Sequence, residues 1–377
     1  MKKTRFYKTI ALFLSMFMII TVFAGCGGGG DKPPTGNNEE SDGPGVPSTE
    51  VYEFRLAHFW PASHVIETEV AQGWSKAVYE ASDGRIIITS FPAETLSRAT
   101  EIYEGVVEGV ADIGISIYAY TRGRFPVLET LLLPGVSFYN SEASSWAAME
   151  AIAILDPVEL HDVHHVWTWG SGPADLVSKK PIRTLEDLKG LQIGATAGPR
   201  ADGLQALGAT PVIMPMSEWY EALSRGVMDG GVTPLETLVG FRLGEVTADY
   251  VTLTPFLYNQ LFFNVMNKES WNKLPADLQQ IFTDATAEFY AATIPKLWDR
   301  INATGYQYAL ELKDVDVTVL SPEETERWVA FLPPIQDAYV TFLNDRGLPG
   351  EEILQTMKGL ADKYNAQYPA FAPYITD

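Results

Sequence analysis

The sequence has few of the residues and motifs on which enzymes depend. Its 377 residues include one cysteine, Cys26, so no disulfide can form within the chain. It contains no phosphate-binding loop, no dinucleotide-binding glycine motif and no His-Glu-x-x-His motif. Gly170-Ser171-Gly172 does not make a serine-hydrolase elbow, because the histidine should follow the serine and the last histidine is His165. We therefore expect neither an enzymatic activity nor a bound cofactor.

Basic residues are also scarce, since 27 lysines and arginines stand against 48 acidic residues, a formal net charge of −21. This balance argues against nucleic acid as a partner and against electrostatic docking to anionic lipid. The acids are spread along the chain, which is typical of a soluble acidic surface.

The segment His161–His165 contains three histidines and an aspartate. Adjacent histidines point apart on a helix or a strand, and no cysteine or second cluster joins them. We interpret the segment as a solvated loop before a strand at Val166–Trp169, with a structural metal site as the alternative.

The N-terminus has the pattern of an export signal. Basic residues at positions 2, 3, 5 and 8 precede an apolar run from Thr9 to Ala24, which is short for the roughly 20 residues that span a bilayer. The run ends at Phe23-Ala24-Gly25-Cys26, which resembles a bacterial lipobox with Phe23 in place of the usual leucine. We predict a signal peptide over residues 1–25, lipidation of Cys26, and an exported protein anchored to the membrane and facing the periplasm or cell exterior. An ordinary signal peptide with a chance cysteine is the alternative.

Residues 26–50 read as a disordered tether, because they combine a glycine run, four prolines and several acids with one aliphatic residue, Val46. The remaining body has the length of two domains. Strand-like and helix-like segments alternate along it, which indicates α/β domains with largely parallel sheets. Strands are predicted at residues 51–58, 85–90, 110–115, 191–196 and 212–215. Helices are predicted after Ser63, over 100–108 and 200–207, after Ser217, over about 275–312 with a bend at Pro295, after Ser321, and over 351–364.

Several motifs, taken in order, carry a resemblance to a known family. They are Phe54–His58 as a first strand, Gly109–Gly114, Leu132-Leu133-Pro134, Ile182–Leu191 with a capping box at Thr184–Asp187, Met228–Pro234 and Asn267–Pro275. Together they resemble the periplasmic solute-binding proteins of tripartite ATP-independent periplasmic (TRAP) transporters, of the dicarboxylate-receptor type. The resemblance covers nearly the whole body.

The resemblance implies a two-lobed clam, in which two α/β domains joined by hinge strands and a long helix close over one small ligand. Lobe I would take residues 51–170 and 258–296, and lobe II residues 171–257 and 297–377. The implied function is capture of a small organic acid and its delivery to the membrane components of a TRAP-type transporter. A receptor of an ATP-driven importer and, less favoured, a secreted enzyme with paired carboxylates are the alternatives.

One position departs from the family pattern. Where members carry an arginine that grips the substrate carboxylate, this sequence has Gly194. Either Arg200 or another basic residue replaces that cation, or the ligand belongs to another class, neutral, aromatic or amine-bearing. In the second case, Glu236 could hold an ammonium group or a bound cation, although it could equally be a solvated residue of a helix's first turn.

The other positions that match pocket-facing sites of the family are His58, Tyr118, Trp169, Trp219, Thr233 and Asn259. Core packing or a helix surface is the alternative for each of them, and for Trp169 and Trp219 it is equally supported. No metal is expected at the ligand site.

Overall fold

The computed structural model describes residues 50–247, 249–312, 315–368 and 370. The predicted signal peptide, the lipidation site Cys26 and the tether up to residue 49 lie outside these residues. Within the described ranges, no helix combines the length and the apolar character needed to cross a membrane.

Five strands make the first sheet, in the order β2-β1-β3-β10-β4. They are β1 Tyr52–His58, β2 Ile86–Phe91, β3 Ile113–Ile117, β4 Val163–Pro173 and β10 Asn259–Asn267. The first three are parallel, whereas β10 is antiparallel to both of its neighbours. Strand β10 is buried along its whole length, and its apolar residues Leu261–Phe263, Val265 and Met266 belong to the core.

Six strands make the second sheet, in the order β11-β9-β5-β8-β6-β7. They are β5 Asp175–Ser178, β6 Gln192–Ala195, β7 Thr210–Ile213, β8 Gly230–Thr233, β9 Tyr250–Leu253 and β11 Asp316–Val319. Strand β5 is the antiparallel member between β8 and β9.

The helices cover these sheets. They are α1 Gln72–Ala81, α2 Ile102–Val107, α3 Ser141–Leu155, α4 Pro199–Ala206, α5 Trp219–Ser224, α6 Thr237–Gly240, α7 Lys268–Lys273, α8 Ala276–Gln307, α9 Pro322–Val329, α10 Pro333–Asn344 and α11 Gly350–Gln367. A π-helical turn, Ile66–Ala71, precedes α1, and another, Tyr308–Leu312, follows α8.

Three connections join the two sheets. Strand β4 of the first sheet continues through Ala174 into β5 of the second, and residues 254–258 lead back from β9 to β10. The 32-residue helix α8 contacts α1, α3 and β4 on one side and α6 on the other. The predicted two-lobed α/β architecture with hinge strands and a long helix is therefore confirmed, including the position of Pro295 inside α8.

Several local predictions are also confirmed. The capping box at Thr184 forms, with the backbone N–H of Thr184 donating to Asp187 Oδ2 at 2.9 Å. Ser321 caps α9 by accepting from the backbone of Glu324 at 3.2 Å. Ser63 and Ser217 do not cap helices, because the helical turns begin at Ile66 and at Met216.

The solvated-loop interpretation of His161–His165 is wrong for its second half. Val163 pairs with Asn267 and His165 with Val265, so β4 begins three residues earlier than predicted. The ring of His164 stacks on that of Trp271, with the ring centres 3.7 Å apart. The sequence around His164 does not predict this contact. Among the described residues, no group of three metal-ligating side chains is present.

The division of the body into lobes by residue number stays a prediction. The first sheet lies within the residues predicted for lobe I, except that β4 extends beyond residue 170. The second sheet lies within the residues predicted for lobe II. The last helix, α11, contacts α3, which belongs to the part of the chain that carries the first sheet.

Candidate ligand-binding site

A small cavity of about 30 Å³ lies between the two sheets and is lined by residues from both of them. The segments that follow β1, β3, β6 and β8 line it, so it occupies the carboxyl ends of parallel strands from both sheets. Its wall consists of Phe59, Trp60, Ile117, Tyr120, Thr196, Arg200, Met214, Met216, Trp219, Thr233, Pro234, Glu236, Thr237, Phe241, Gln260, Phe262 and Trp298.

Arg200 places a positive charge in this wall. It is the second residue of α4, whose entry through Gly198 needs a φ of 84° that suits glycine. Its Nη1 donates to the carbonyl of Val232 at 3.2 Å and its Nη2 to Gln260 Oε1 at 3.0 Å. The guanidinium also stacks on the ring of Tyr258, with its carbon 3.3 Å from the ring centre.

The charge of Arg200 has no counter-ion within the described part of the chain. Its side chain is buried, and among the described residues no carboxylate lies within 4 Å of it and its Nε has no hydrogen-bond partner. Burial lowers the pKa of Arg200 to about 10, which leaves it protonated at neutral pH. An uncompensated buried cation is costly, so a bound anion would stabilise this arrangement.

The missing arginine has a steric explanation. A Cβ on Gly194 would lie 2.8 Å from Met228 Sδ and 3.0 Å from the Trp219 ring, and one on Gly231 would lie 2.2 Å from the same ring. The indole of Trp219 thus packs against adjacent glycines of β6 and β8. With Trp219 in this place, position 194 has no room for any side chain.

Glu236 provides a buried carboxylate in the same wall. Its Oε2 lies 2.9 Å from His64 Nε2, and the two side chains are 6% and 1% exposed. His64 Nδ1 accepts from the backbone N–H of Ile66 at 3.0 Å, so Nε2 carries the proton and donates it to Glu236. The backbone N–H of Glu236 donates to Asn302 Oδ1 of α8 at 3.1 Å.

Three hydrogen bonds therefore connect the two sides of the cleft at this cavity. One joins His64, which follows β1, to Glu236, which follows β8. The second runs from the backbone of Met216 to the Tyr120 hydroxyl at 2.9 Å, and the third is the Arg200–Gln260 contact.

Aromatic rings form a large part of the remaining wall. The Trp60 ring stacks on Phe59 at 3.9 Å, and Trp298 lies 4.4 Å from Phe262. Phe241 reaches across from the second lobe to within 6.2 Å of the Phe59 ring. Flat rings on several sides favour an apolar, planar ligand body between the polar groups.

Four of the eight proposed ligand contacts lie in the cavity wall, namely Arg200, Trp219, Thr233 and Glu236. The other four, His58, Tyr118, Trp169 and Asn259, do not line it. His58 Nε2 and Glu67 Oε2 are 2.8 Å apart beneath the wall, and burial lowers the pKa of that histidine.

The remaining three are packed into the first lobe. The hydroxyl of Tyr118 is 2.6 Å from Thr168 Oγ1, and Trp169 stacks behind Phe262 at 5.0 Å. Asn259 Nδ2 donates to the carbonyl of Leu131 at 2.8 Å. Each of these side chains therefore has a structural partner.

Their near neighbours in sequence take the cavity positions instead. Trp60, Tyr120 and Gln260 lie two, two and one residues beyond His58, Tyr118 and Asn259. On β10, successive side chains face opposite sides of the sheet, so a shift of one residue exchanges a core position for a cavity position. For Trp60, the pair of adjacent aromatic residues Phe59 and Trp60 directly after the first strand was the sequence feature that could have indicated a cavity position.

With this geometry in hand, comparison with known proteins identifies the family. A sequence model of the bacterial extracellular solute-binding proteins, family 7, matches residues 56–341. The chain belongs to this family. The resemblance to TRAP solute-binding proteins inferred from the motifs is thereby confirmed.

Two solved members of similar structure are TRAP solute binding proteins. One, from a marine metagenome, is specific for aromatic acid ligands and was solved with 3-hydroxybenzoate; it is 29% identical, with a TM-score of 0.79, over 84% of this chain and 100% of that one. Another, from Rhodoferax ferrireducens, was solved with copurified benzoate; it is 28% identical, with a TM-score of 0.76, over 84% of this chain and 99% of that one.

A relative outside this pair is the C4-dicarboxylate-binding periplasmic protein of Rhodobacter capsulatus. It is 25% identical over 290 residues, which is 73% of this chain and 84% of that protein. Family-7 members thus include proteins named for quite different acids, and the ligand of this chain must be argued from its own cavity.

Proposed function

We propose that this family-7 protein is an extracytoplasmic receptor that captures an aromatic monocarboxylate between its lobes and delivers it to a TRAP-type membrane transporter. One observation carries the proposal: Arg200, a buried cation of the cavity wall, has no carboxylate partner among the described residues. A ligand carboxylate would supply the missing counter-ion and accept from the free Nε.

The surroundings of the two buried charges, together with the ligands of solved relatives, support an acid rather than an amine as the anchoring group. Glu236, the residue that would hold an ammonium, already accepts a hydrogen bond from His64. Arg200, by contrast, has a neutral amide, a carbonyl and a ring around it. Neither charge has an ionic partner in the described part of the chain, but Glu236 has a hydrogen-bond donor beside it, and the acids bound by two solved relatives support Arg200 as the anchor.

The aromatic part of the proposal rests on the wall of Phe59, Trp60, Phe241, Phe262 and Trp298. Two structural neighbours above 25% identity bind 3-hydroxybenzoate and benzoate, which supports the same ligand class.

Calorimetry with benzoate and 3-hydroxybenzoate tests the proposal. A hydrogen bond to a charged group contributes about 1.5–3 kcal/mol, so Arg200→Ala should weaken binding at least about tenfold. Arg183→Ala is the matched control, because Arg183 is an exposed arginine of the same lobe, paired with Asp316. Equal affinities of Arg200→Ala and the wild type for these acids would contradict the proposal.

We also propose that Cys26 is lipidated and anchors the receptor to the membrane, with residues 26–50 as the lipidated tether. The position of the cysteine, directly after an apolar signal-like run, supports this proposal. Cys26→Ser should release the protein into the soluble fraction and leave its ligand affinity unchanged. Retention of the variant in carbonate-washed membranes would show that another feature holds it there.

A further inference from the structure

The cavity holds a second charged group that the binding of a carboxylate does not use. Glu236 is 5% exposed and lines the wall, and no ion pair within 4 Å joins it to Arg200. Arg200 and Glu236 are thus two separate charged groups in the wall of one cavity that is partly lined by aromatic rings. A ligand held by its carboxylate at Arg200 presents some other part of its surface to Glu236.

The hydrogen bond from His64 does not neutralise Glu236. His64 Nδ1 accepts from the backbone of Ile66, so the ring is a neutral imidazole whose one proton, on Nε2, goes to Glu236 Oε2. In the part of the chain that the structure describes, no other side chain donates to this carboxylate. One of its oxygens thus remains an acceptor without a protein donor.

The position of the carboxylate is fixed from several sides. A Cβ on Gly240 would lie 2.5 Å from both Glu236 Oε2 and His64 Nε2, so the pair packs directly against this glycine. Asn302 holds the Glu236 backbone and also donates to the carbonyl of Ser171 in the hinge strand at 3.2 Å. A group with three such constraints is poorly able to turn away from a ligand of the wrong charge.

We propose that Glu236 selects among ligands by the substituent that lies opposite the ligand's own carboxylate. It favours a hydrogen-bond donor there, such as a hydroxyl, and rejects a second carboxylate. A donor satisfies the free carboxylate oxygen, whereas a second anion would lie beside a buried carboxylate where water screens little. The receptor thereby accepts hydroxylated monocarboxylates and excludes dicarboxylates, although relatives in its family are named for dicarboxylates. This inference rests on the proposed binding of acids at Arg200.

A series of acids built on one benzene ring tests the inference by calorimetry on the wild-type protein. The series is benzoate, 3- and 4-hydroxybenzoate, and the benzene-1,3- and 1,4-dicarboxylates. At least one hydroxybenzoate should bind several-fold more tightly than benzoate, and both dicarboxylates at least about tenfold more weakly. A dicarboxylate that binds as well as benzoate would overturn the inference without the use of any variant.

Variants then assign the effect to Glu236. Glu236→Gln keeps the shape and removes the charge, so it should raise dicarboxylate affinity at least about tenfold and reduce the preference for a hydroxyl. Glu221→Gln is the matched control, because it removes the same charge from an exposed pair with Arg225. Gly240→Ala, which displaces the His64–Glu236 pair, should weaken the selectivity in the same direction. Unchanged selectivity in both cavity variants would overturn the inference.

The two proposals fail in different ways. If no ring acid binds, the same calorimetric comparison is made with the aliphatic acids butyrate, 4-hydroxybutyrate and succinate. Their relative affinities then test the inference about Glu236. Absence of binding in both series overturns the function proposed for Arg200 and this inference with it. If ring acids bind in a manner that depends on Arg200, but their affinities do not vary with the substituent opposite the carboxylate, only the inference about Glu236 is overturned.

Discussion

At the scale of single residues, the structure buries an acid that the cavity does not use. Glu129 lies in a groove between α4 and α10 and is 4% exposed. Its Oε2 accepts from the Tyr339 hydroxyl at 3.2 Å, and burial raises its pKa to about 7. The protonated carboxyl is therefore the form that this site favours.

A pH-dependent stability follows from Glu129. Because its pKa is higher in the folded than in the unfolded chain, its contribution is complete below about pH 4.5 and is lost as the pH rises through about 7. Between pH 5 and pH 8, wild-type protein should lose about 2–3 kcal/mol more unfolding free energy than Glu129→Gln. Urea unfolding at both pH values measures this, with Glu221→Gln as the surface control. Parallel losses in wild type and Glu129→Gln would refute the assignment.

At the scale of elements, helix α8 supports the acidic side of the cavity by direct backbone contact. A Cβ on Gly305 would lie 2.1 Å from the carbonyl oxygen of Leu235 and 2.8 Å from the nitrogen of Glu236. The helix therefore packs against the segment between β8 and α6 at a distance that only glycine permits.

Gly305→Ala should accordingly separate this helix from the cavity wall. Although alanine favours a helix over glycine by about 1 kcal/mol, overpacking against backbone costs about 1–3 kcal/mol, so we expect net destabilisation. Binding of 3-hydroxybenzoate should weaken as Glu236 shifts. Gly359→Ala in α11 is the control, since a Cβ there meets nothing within 4 Å and should stabilise slightly. Equal effects of the two substitutions on thermal unfolding would contradict this packing argument.

At the scale of the whole molecule, the cavity belongs to both lobes. Arg200 and Glu236 lie in the part that carries the second sheet, whereas Gln260, Tyr120 and Trp60 lie in the part that carries the first. A ligand that contacts both parts stabilises the arrangement in which they meet, in the manner of a hinge-closing receptor.

We expect 3-hydroxybenzoate to make the protein more compact and more stable. At a ligand concentration 100-fold above Kd, the unfolding free energy should rise by about 2.7 kcal/mol. Small-angle scattering should show a smaller radius of gyration with the ligand, and Arg200→Ala at the same concentration should show neither change. Identical scattering of the wild type at saturation and without ligand would rule out hinge closure.

The sequence by itself determined the fold class and most elements, because these depend on local and periodic information. Alternating strand and helix patterns, the capping box at Thr184 and the long glycine-poor run around Pro295 each describe contacts within one segment. The resemblance to the family, read from the motifs, also marked Gly194 as the altered position and Arg200 as a candidate replacement cation.

Only the tertiary structure decided which side chains share the cavity. Whether Asn259 or Gln260 faces it depends on the register of β10 between β3 and β4, which no local pattern sets. The His64–Glu236 bond joins residues 172 positions apart. Likewise, Gly194 excludes an arginine because Trp219, from a helix 25 residues later, occupies its space. These facts arise from packing between distant segments, and packing is specified by the whole chain at once rather than by any part of it.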